Sequence, residues 1–421
     1  MANLPSQLCA LTWQAGDGTN YRSKTLQFKY TALERVIYGE KVASALSAVA
    51  QDLGSRRIYI VASSTLAKET NQFKELTQAI GDRFVGLSTG IGAHTPREDV
   101  LNVLREVRVS KADLLVAVGG GSVIDGCKTI QLAIDQQVQT EDQLLDYAQR
   151  TDGTRGSKCG DSSLFQTPAA IRQIAVPTTL SGAEFSNLAG VLDSKRQAKE
   201  GYMAPTLCPQ VIIYDSELSK HTPHWLFLST AIRSLDHAIE GYCSADTTPY
   251  HDGHFLHAIR LFSQALPLMA DEPENLEARQ LSQQAVWLAC CGLATIAFGA
   301  SHGIGYILGS LCGVPHGYTS CVMLPAVLRW NHSVNSERQQ AIAEALGSAA
   351  EDAAISVQRL IARLGLPVSL KELDIKLSKL DEIAERAIRH PVVKCNPRTV
   401  SSVEQVREIL DLAWNAAEHS L

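Results

Sequence analysis

The sequence predicts two domains, an α/β domain with a parallel sheet over residues 1–189 and an all-helical domain over residues 190–421. Before residue 190, short runs rich in Val and Ile alternate with helical stretches, as is typical of strand–helix–strand units: RRIYIVAS, DLLVAVGGGS and IRQIAVPTT. After it, apolar residues recur with helical periodicity, in TAIRSLDHAIEGY, GHFLHAIRLFSQALPLM and VEQVREILDLAWNAAEH. The chain has 421 residues, more than one ordinary core accommodates, so its length also favours two domains.

The composition favours a protein that acts on small molecules. With 45% hydrophobic and 19% charged residues the chain can bury large cores, and its net charge of -6 gives no basic surface for nucleic acid or an anionic membrane. The ten cysteines are scattered without a CxxC pair, which predicts reduced thiols in the cytoplasm rather than a zinc ribbon or a disulfide framework. The amino terminus lacks a basic segment followed by an apolar one, so we expect no signal peptide.

One long stretch resembles a membrane segment at first sight. Residues 280–328 contain no Asp, Glu, Lys or Arg. Polar residues and helix breakers interrupt this stretch, and no run of about 18 residues is free of them. We therefore expect buried helices around a largely dry pocket, and no membrane partner.

Two turns in the first domain carry a nucleotide-binding pattern. The segment GGGSVIDGCK, residues 119–128, follows the strand-like DLLVAV, and its glycines let the backbone approach a phosphate at a helix N-terminus. The segment PTTLSGAEFS, from Pro177, also ends a strand-like run and places Thr178 and Thr179 where open α/β sheets bind ligands. Each turn alone is equally compatible with a structural tight turn, and the two together favour a nucleotide site.

The second domain contains an unusual pairing of basic residues. Arg233 lies one helical turn before His237, so the two side chains share a helix face. His302 and His316 follow downstream, and three histidines are a common metal-binding set. An arginine among them argues against a metal, because a guanidinium is always charged.

A further histidine cluster, HDGHFLH, looks like a metal site by eye. Its members His251, His254 and His257 have i, i+3, i+6 spacing, which fans around a helix. We interpret this cluster as a solvated helix face rather than a ligand set.

These motifs resemble those of the iron-containing alcohol dehydrogenase superfamily over nearly the whole chain. The shared features are the PTT turn, HAIEGY, a histidine pair spaced H-x13-H that ends in PHG, and the GGGSxxDxxK signature, which stands here as Gly119, Gly120, Gly121, Ser122, Asp125 and Lys128. Within the superfamily the chain looks most like the maleylacetate reductase branch, through the short PTTLSGAE turn, AHTP at 93–96 and NPRTV at 396–400. The resemblance implies a Rossmann-like first domain of the dehydroquinate synthase type, and a homodimer.

The resemblance also implies NADH or NADPH as the cofactor. The residues expected to bind it are Gly120, Gly121, Ser122, Asp125, Thr178, Thr179 and Lys199. Ser63 and Ser64 follow the strand-like RIYIVA, at the position where an acidic residue would exclude a 2′-phosphate. NADPH is therefore permitted beside NADH.

The metal site of the superfamily is altered in this sequence. The resemblance implies an Asp-x3-His pair and two later histidines as ligands, and His237, His302 and His316 match three of these positions. Arg233 stands where the Asp belongs, and Tyr306 replaces a further histidine. At an effective dielectric constant near 20, a unit charge about 4 Å from a divalent ion contributes roughly 8 kcal/mol, attractive for Asp and repulsive for Arg. We expect no metal, and if one is bound, the same three histidines hold it.

The reaction implied is NAD(P)H-dependent reduction of a carbonyl or conjugated oxo-acid, with maleylacetate-like substrates as the leading class. Arg233 is expected to orient and polarise an anionic or carbonyl oxygen, and Tyr306 or His237 to donate the proton, with His302 and His316 in the same catalytic set.

Several alternatives stay open at this point. Arg233 could instead pair with Asp236 or Glu240 along its own helix and have no catalytic role. The enzyme could be a carbonyl or enone reductase of a biosynthetic pathway. It could also be a lyase-like enzyme, or a protein of the same fold that only binds nucleotide.

Overall fold

The computed structural model describes residues 30–150, 153–165, 169–196 and 198–416. Contacts between Cα atoms divide these residues into two compact units. One unit is Tyr30–Pro223, and the other begins at His224.

The first unit is built on a six-stranded sheet in which every pairing is parallel. Its strands are β1 (Arg35–Tyr38), β2 (Ile58–Ala62), β3 (Phe84–Ser88), β4 (Leu114–Gly119), β6 (Arg172–Pro177) and β9 (Val211–Tyr214). Their order in the sheet is β1-β9-β6-β4-β2-β3. Every residue of β2 and β4 is buried, as expected for inner strands covered on both faces. The parallel sheet predicted from these Val- and Ile-rich runs is confirmed.

Helices connect the strands of this sheet. They are α1 (Val42–Asp52), α2 (Ser64–Glu69), α3 (Asn71–Ile80), α4 (Arg97–Ser110), α5 (Gly121–Asp135), α6 (Glu141–Leu145) and α7 (Ser216–Ser219). Leu46 and Val49 of α1 belong to one buried cluster with Ile60 of β2 and Ile213 of β9. This apolar burial holds the helices against the sheet, because each buried aliphatic side chain stabilises the fold by about 1.5–3 kcal/mol.

A second, smaller sheet is antiparallel, and the sequence patterns do not predict it. It contains β5 (Ala148–Arg150), β7 (Leu188–Asp193) and β8 (Ala198–Met203) in the order β5-β8-β7. The buried Arg97 of α4 pairs with both long strands, since its guanidinium lies 2.7 Å from a carboxylate oxygen of Glu200 and 3.1 Å from one of Asp193. This ion-pair network fixes the β7–β8 hairpin to α4.

The second unit is helical, as predicted. Its helices are α8 (His224–Cys243), α9 (Pro249–Asp271), α10 (Leu276–Ala289), α11 (Ala300–Cys312), α12 (His316–Ala345), α13 (Ala353–Arg363), α14 (Leu380–Ala387) and α15 (Val403–Trp414). Ile304 and Leu308 of α11 pack in one buried cluster with Met323 of α12 and Leu410 of α15. The charge-free stretch 280–328 covers most of α10, all of α11 and the start of α12. Within the part of the chain that the structure describes, no helix is long and apolar enough to cross a membrane.

The boundary between the units differs from the predicted one. The predicted division after residue 189 falls inside β7, and the chain later returns to the large sheet as β9, between β1 and β6. The first unit therefore extends to Pro223. The change in apolar pattern near residue 190 coincides with the antiparallel β7–β8 hairpin and not with the end of the α/β unit.

A buried lysine and a buried glutamate lie behind the turns that follow β4 and β6. The ammonium group of Lys128 donates to the carbonyl oxygens of Ala183 at 2.6 Å and Leu188 at 2.8 Å. Glu184 accepts the hydroxyl proton of Tyr214, and its other carboxylate oxygen has no partner among the described residues. Burial raises the pKa of Glu184 to about 7. Lys128 of the glycine-rich signature therefore holds the second turn in place through its hydrogen bonds.

We predict that Glu184 makes the stability of the chain depend on pH. Its pKa rises from 4.5 to about 7 on folding, so its stabilising contribution is complete below pH 4.5 and is lost as the pH rises through 7. Glu184→Gln removes this dependence, so the fall in unfolding free energy between pH 5 and pH 8 should shrink by up to about 3 kcal/mol. Urea unfolding at both pH values measures it. Glu75→Gln, on the exposed face of α3, is the matched control, and an equal fall in all three proteins would contradict the prediction.

Candidate active site

A first candidate site is a pair of close-packed turns in the α/β unit. Gly120 and Gly121 connect β4 to α5 and lie against the turn that follows β6. A Cβ atom added to Gly120 would lie 3.0 Å from Cγ2 of Thr179, and one added to Gly121 would lie 3.0 Å from the hydroxyl of Ser181. The turns leave no room for side chains at these two positions, so backbone N–H groups at the start of α5 stay accessible to a phosphate.

Hydrogen bonds hold the two turns together. The backbone N–H of Thr178 donates to the carbonyl oxygen of Gly119 at 3.0 Å. The carbonyl oxygen of Thr178 accepts from the hydroxyl of Thr222 at 2.7 Å. The glycines and threonines that were predicted to bind the cofactor therefore meet at the carboxyl ends of the neighbouring strands β4 and β6.

A turn with unusual backbone angles braces Ser122 in the first turn of α5. His94 and Thr95 have φ angles of 63° and 60°, in the left-handed region that favours glycine. The backbone N–H of His94 donates to the Ser122 hydroxyl at 3.0 Å, and the Thr95 hydroxyl donates to the Ser122 carbonyl oxygen at 3.0 Å. Burial and the charge of Lys199 lower the pKa of His94. The AHTP segment thus places a neutral imidazole beside the glycine-rich turn.

Asp125 and Lys199 lie together on the hairpin side of α5. Asp125 accepts the backbone N–H of Gly190 at 3.0 Å and lies 3.4 Å from the Lys128 ammonium. A Cβ atom at Gly190 would lie 3.6 Å from both the Asp125 carboxylate and the Lys199 ammonium. Asp125 therefore ties β7 to α5, and its direct contact with a cofactor stays a prediction, as does that of Lys199.

A second candidate site lies in the helical unit, where Arg233 is buried in α8 with 6% of its surface exposed. Its Nη1 atom donates to the hydroxyl of Ser320 at 3.0 Å and lies 3.7 Å from the carboxylate of Asp236. Its guanidinium carbon lies 5.4 Å from the ring centre of Tyr306. Nε and Nη2 make no hydrogen bond to any residue that the structure describes. The protein engages one of the three guanidinium nitrogens, and the donor pair formed by Nε and Nη2 is left for a ligand.

Asp236 holds the other side of this ion pair. Its Oδ2 atom accepts from the hydroxyls of Ser301 at 2.8 Å and Ser320 at 2.7 Å. Burial raises its pKa, and the positive charge of Arg233 opposes that rise. The alternative in which Arg233 pairs with Asp236 along its own helix is thus present, and it occupies one nitrogen of the guanidinium.

Glu240, one turn further along α8, lies at the N-terminus of α11. Its carboxylate accepts three backbone N–H groups, from Gly299 at 3.0 Å, Ser301 at 2.8 Å and His302 at 3.3 Å. Its Oε2 atom also lies 2.8 Å from Nδ1 of His302. The remaining amide of this first turn, that of Ala300, donates to the side-chain oxygen of Asn396 at 3.2 Å. Together they satisfy the amides that a helix N-terminus otherwise leaves unpaired, and they complement its dipole.

The structure brings His237 and His302 together as predicted. Their ring centres are 4.8 Å apart, and Nδ1 of His237 lies 3.7 Å from the sulfur of Cys290. Burial and the charge of Arg233 lower the pKa of His302 to about 3. Burial, followed by His302 and Arg233, lowers the pKa of His237 well below its usual range. Both imidazoles are therefore neutral at physiological pH.

The ring of Tyr306 lies near three histidine rings, two of which belong to predicted site residues. Its ring centre lies 6.4 Å from those of both His302 and His316, in edge-to-face arrangements. On another side, 5.3 Å away, is the ring of His390, which no sequence pattern singles out. Burial lowers the pKa of His390 to about 4, and its Nδ1 accepts the backbone N–H of Val392 at 3.3 Å.

Two helix-capping residues and one histidine of this site were not predicted from the sequence. HAIEGY contains Glu240, seven residues after Arg233 and so on the same helix face, and NPRTV contains Asn396. Either motif could have identified its residue as a helix cap. His390 carries no comparable signal, because its place depends on how the chain beyond α14 folds back onto α11.

The cluster HDGHFLH has no role in this site. His251 is buried, with ring nitrogens 2.8 Å from the Thr248 hydroxyl and 3.1 Å from that of Thr295, while His254 lies 2.6 Å from the carbonyl oxygen of Tyr250. The expectation of a fully solvated face is wrong for His251, because the first turn of α9 packs that side chain inward.

Among the described residues, the one group with metal-ligand spacing is Asp236, Glu240 and His302, whose ligand atoms lie within 4.8 Å of one another.

Fold and site together define an oxidoreductase of the iron-containing alcohol dehydrogenase family, and the chain belongs to that family. The model of iron-containing alcohol dehydrogenase matches residues 34–216, and that of the C-terminal part of the same family matches residues 227–414. The family resemblance stated from the sequence motifs is confirmed.

Individual relatives include proteins of fungi and bacteria. The chain is 33% identical to Dehydrogenase FUM7 of Gibberella moniliformis, over 90% of this chain and 95% of that protein. It is 28% identical to Maleylacetate reductase 1 of Rhodococcus opacus, over 90% of this chain and 94% of that one. The crystal structure of maleylacetate reductase from Agrobacterium tumefaciens superposes with a TM-score of 0.77 at 23% identity, covering 93% of this chain and 99% of that chain, which shows a common fold.

We predict that Gly121→Val abolishes binding of the nicotinamide cofactor. A β-branched side chain would meet the Ser181 hydroxyl and fill the space that the turns leave beside the first amides of α5. Calorimetric titration with NADH and NADPH measures the affinity. Gly253→Val, at an exposed position of α9 where an added Cβ meets nothing within 4 Å, is the matched control. Unchanged affinity in a folded Gly121→Val protein would remove residues 119–128 from the cofactor site.

Proposed function

We propose that this oxidoreductase reduces a carbonyl compound or conjugated oxo-acid with NADH or NADPH, and that it does so without a bound metal ion. The observation that carries the proposal is the buried Arg233, whose Nε and Nη2 have no partner among the described residues. Such a planar donor pair suits a carboxylate or a developing oxyanion. A maleylacetate-like dicarboxylate is therefore the leading substrate class.

Metal independence is supported by the charges around the family's metal position. His237, His302 and His316 keep nitrogen donors there, but Arg233 replaces the acidic ligand. A divalent ion about 4 Å from a guanidinium is disfavoured by roughly 8 kcal/mol at an effective dielectric constant of 20. The alternative acidic set is already engaged, since Glu240 accepts three backbone amides and Asp236 two hydroxyls. The donor set does not fit a divalent metal, so no catalytic step is assigned to one.

The nicotinamide cofactor fits the α/β unit. Gly120 and Gly121 leave the space that a pyrophosphate needs, with Ser122, Thr178 and Thr179 around it. When bound, the reduced nicotinamide supplies the hydride for the reaction. Ser63 caps α2 by accepting the backbone N–H of Leu66 at 3.4 Å, so β2 ends without the carboxylate that would repel a 2′-phosphate. Lys199 and the homodimer stay predictions from the family resemblance, and the cytoplasmic location stays a prediction from the scattered cysteines.

The roles of the helical residues follow from their protonation and contacts. Arg233 binds and polarises the anionic or carbonyl oxygen of the substrate through its unused fork. Tyr306 is the better proton donor, because its hydroxyl makes no hydrogen bond within the described residues and its ring lies beside the guanidinium. His237 is a poorer donor, since burial keeps it neutral.

A second candidate is the reduction of a neutral carbonyl or enone. Asp236 lies 3.7 Å from Arg233, so part of the positive charge is already compensated inside the protein. A neutral carbonyl would then need only one donor and no opposite charge. The similarity to a dehydrogenase and to a maleylacetate reductase favours either redox reaction over a lyase-like or purely nucleotide-binding role.

We predict that Arg233 determines which of these substrates is used. Oxidation of NADH and NADPH is measured against maleylacetate, 2-oxoglutarate and neutral enones. For the anionic class, Arg233→Ala should cost about 2 to 4 kcal/mol in transition-state stabilisation, with only partial rescue by Arg233→Lys, which lacks the planar fork. Arg260→Ala, exposed on α9, is the control. Equal losses for charged and neutral substrates would favour the second candidate, and unchanged rates for all would leave Arg233 a purely structural role.

We also predict that the purified chain holds no stoichiometric transition metal and keeps its activity after exhaustive chelation. The reason is the repulsion between Arg233 and a divalent ion at the three histidines. Elemental analysis beside rates with and without chelator measures both. Arg233→Asp restores the acidic ligand and serves as the positive control for metal uptake. One zinc or iron per wild-type chain, with activity lost on removal and regained on return, would overturn metal independence.

A further inference from the structure

The contact with Glu240 determines which ring nitrogen of His302 carries the hydrogen. Oε2 of Glu240 already accepts the backbone amides of Gly299 and His302, while Oε1 accepts that of Ser301. Three backbone N–H groups directed at one carboxylate favour its ionised form, which only accepts hydrogen bonds. Nδ1 of His302, 2.8 Å from Oε2, must therefore carry the hydrogen. The other ring nitrogen, Nε2, is then a lone-pair acceptor.

This lone pair is buried and has no partner. His302 has 1% of its surface exposed, and its Nε2 makes no hydrogen bond to any described residue. The ring is flanked by Phe298, stacked with centres 4.6 Å apart, and by His237 at 4.8 Å. An acceptor left in such surroundings costs free energy unless a ligand supplies a donor. The nearest cationic donor, Arg233, directs Nη1 to Ser320 instead.

We propose, on the basis of the function proposed above, that Glu240 is a positioning residue that makes His302 a hydrogen-bond acceptor, and that the substrate carries an alcohol or enol hydroxyl that donates to Nε2. This hydroxyl is additional to the oxygen bound by Arg233. The substrate class is thereby narrowed to hydroxylated or enolised carbonyl compounds, because a fully ionised oxo-dicarboxylate in its keto form offers no donor.

The tautomer can be measured without knowing the substrate. In the full chain labelled with [15N]histidine, long-range proton–nitrogen correlation spectra distinguish a protonated from an unprotonated ring nitrogen, and His302→Asn identifies the His302 signals. We expect hydrogen on Nδ1 and a lone pair on Nε2. Hydrogen on Nε2, or on both nitrogens, would overturn the role of Glu240. Activity does not enter this measurement, so its outcome is independent of the proposed reductase function.

Two variants separate positioning from packing. In Glu240→Gln, the amide oxygen can replace Oε2, so the tautomer should persist and only Ser301 should lose its acceptor. Glu240→Ala removes the nearer acceptor of Nδ1 and leaves only the Asp236 oxygen at 3.5 Å, too far to hold the hydrogen fully, so the His302 signals should then report a mixture of tautomers. A folded Glu240→Ala protein with the wild-type tautomer would contradict the proposal. If that variant does not fold, the wild-type and Glu240→Gln spectra decide it.

The hydroxyl is tested with matched pairs of probes, butanone with 4-hydroxybutan-2-one and 2-oxobutanoate with 4-hydroxy-2-oxobutanoate. The hydroxylated member should have the higher kcat/KM by about tenfold or more, and His302→Phe should remove that preference. Equal values in the wild type would mean that no substrate hydroxyl donates to Nε2, and would overturn the substrate class. For a pair that is not reduced, the readout is the Nε2 signal: a shift with the hydroxylated member alone supports the proposal, and any other result contradicts it.

Discussion

The site in the helical unit depends on one interaction, the buried carboxylate of Glu240 at the N-terminus of α11. A helix start inside a protein leaves amides that water cannot reach, and an unpaired buried amide costs about 1–3 kcal/mol. Glu240 accepts three of them, and the dipole of α11 favours its negative charge. Because Glu240 belongs to α8, the same contact sets the register between the helix that carries Arg233 and the helix that carries His302 and Tyr306.

The charges around this contact explain how an arginine is accommodated where the family has an acidic ligand. Burial raises the pKa of both Asp236 and Glu240, which shows how costly two buried carboxylates are without a cation. Arg233 supplies one permanent positive charge beside them, 3.7 Å from Asp236, and the neutral histidines add none. The ion pair and a catalytic role are therefore compatible, since pairing engages Nη1 and leaves Nε and Nη2 for a ligand. A buried pair of this kind is retained more readily for orientation than for stability.

The sequence predicts those parts of the molecule that depend on local pattern. The Val- and Ile-rich runs became β2, β4 and β6, and the glycine and threonine turns met because parallel strands end at the same edge of a sheet. The antiparallel hairpin was not predicted, because β7 and β8 have mixed burial and their partner Arg97 lies about a hundred residues earlier. His390 was likewise out of reach, since it contacts α11 through an interaction distant in sequence.

The two candidate sites depend on the sequence in different ways, and this bears on how such a chain can change its chemistry. The predicted cofactor site depends on backbone amides and on missing side chains at Gly120 and Gly121, so a bulky substitution there would fill it. The helical site depends on side chains whose backbone is set by packing and by the Glu240 contact. At position 233 an arginine can replace an acidic ligand without altering α8, because Ser320 and Asp236 contact Nη1 of the arginine. A single position can thus exchange a metal's positive charge for a guanidinium while the cofactor and the fold stay the same.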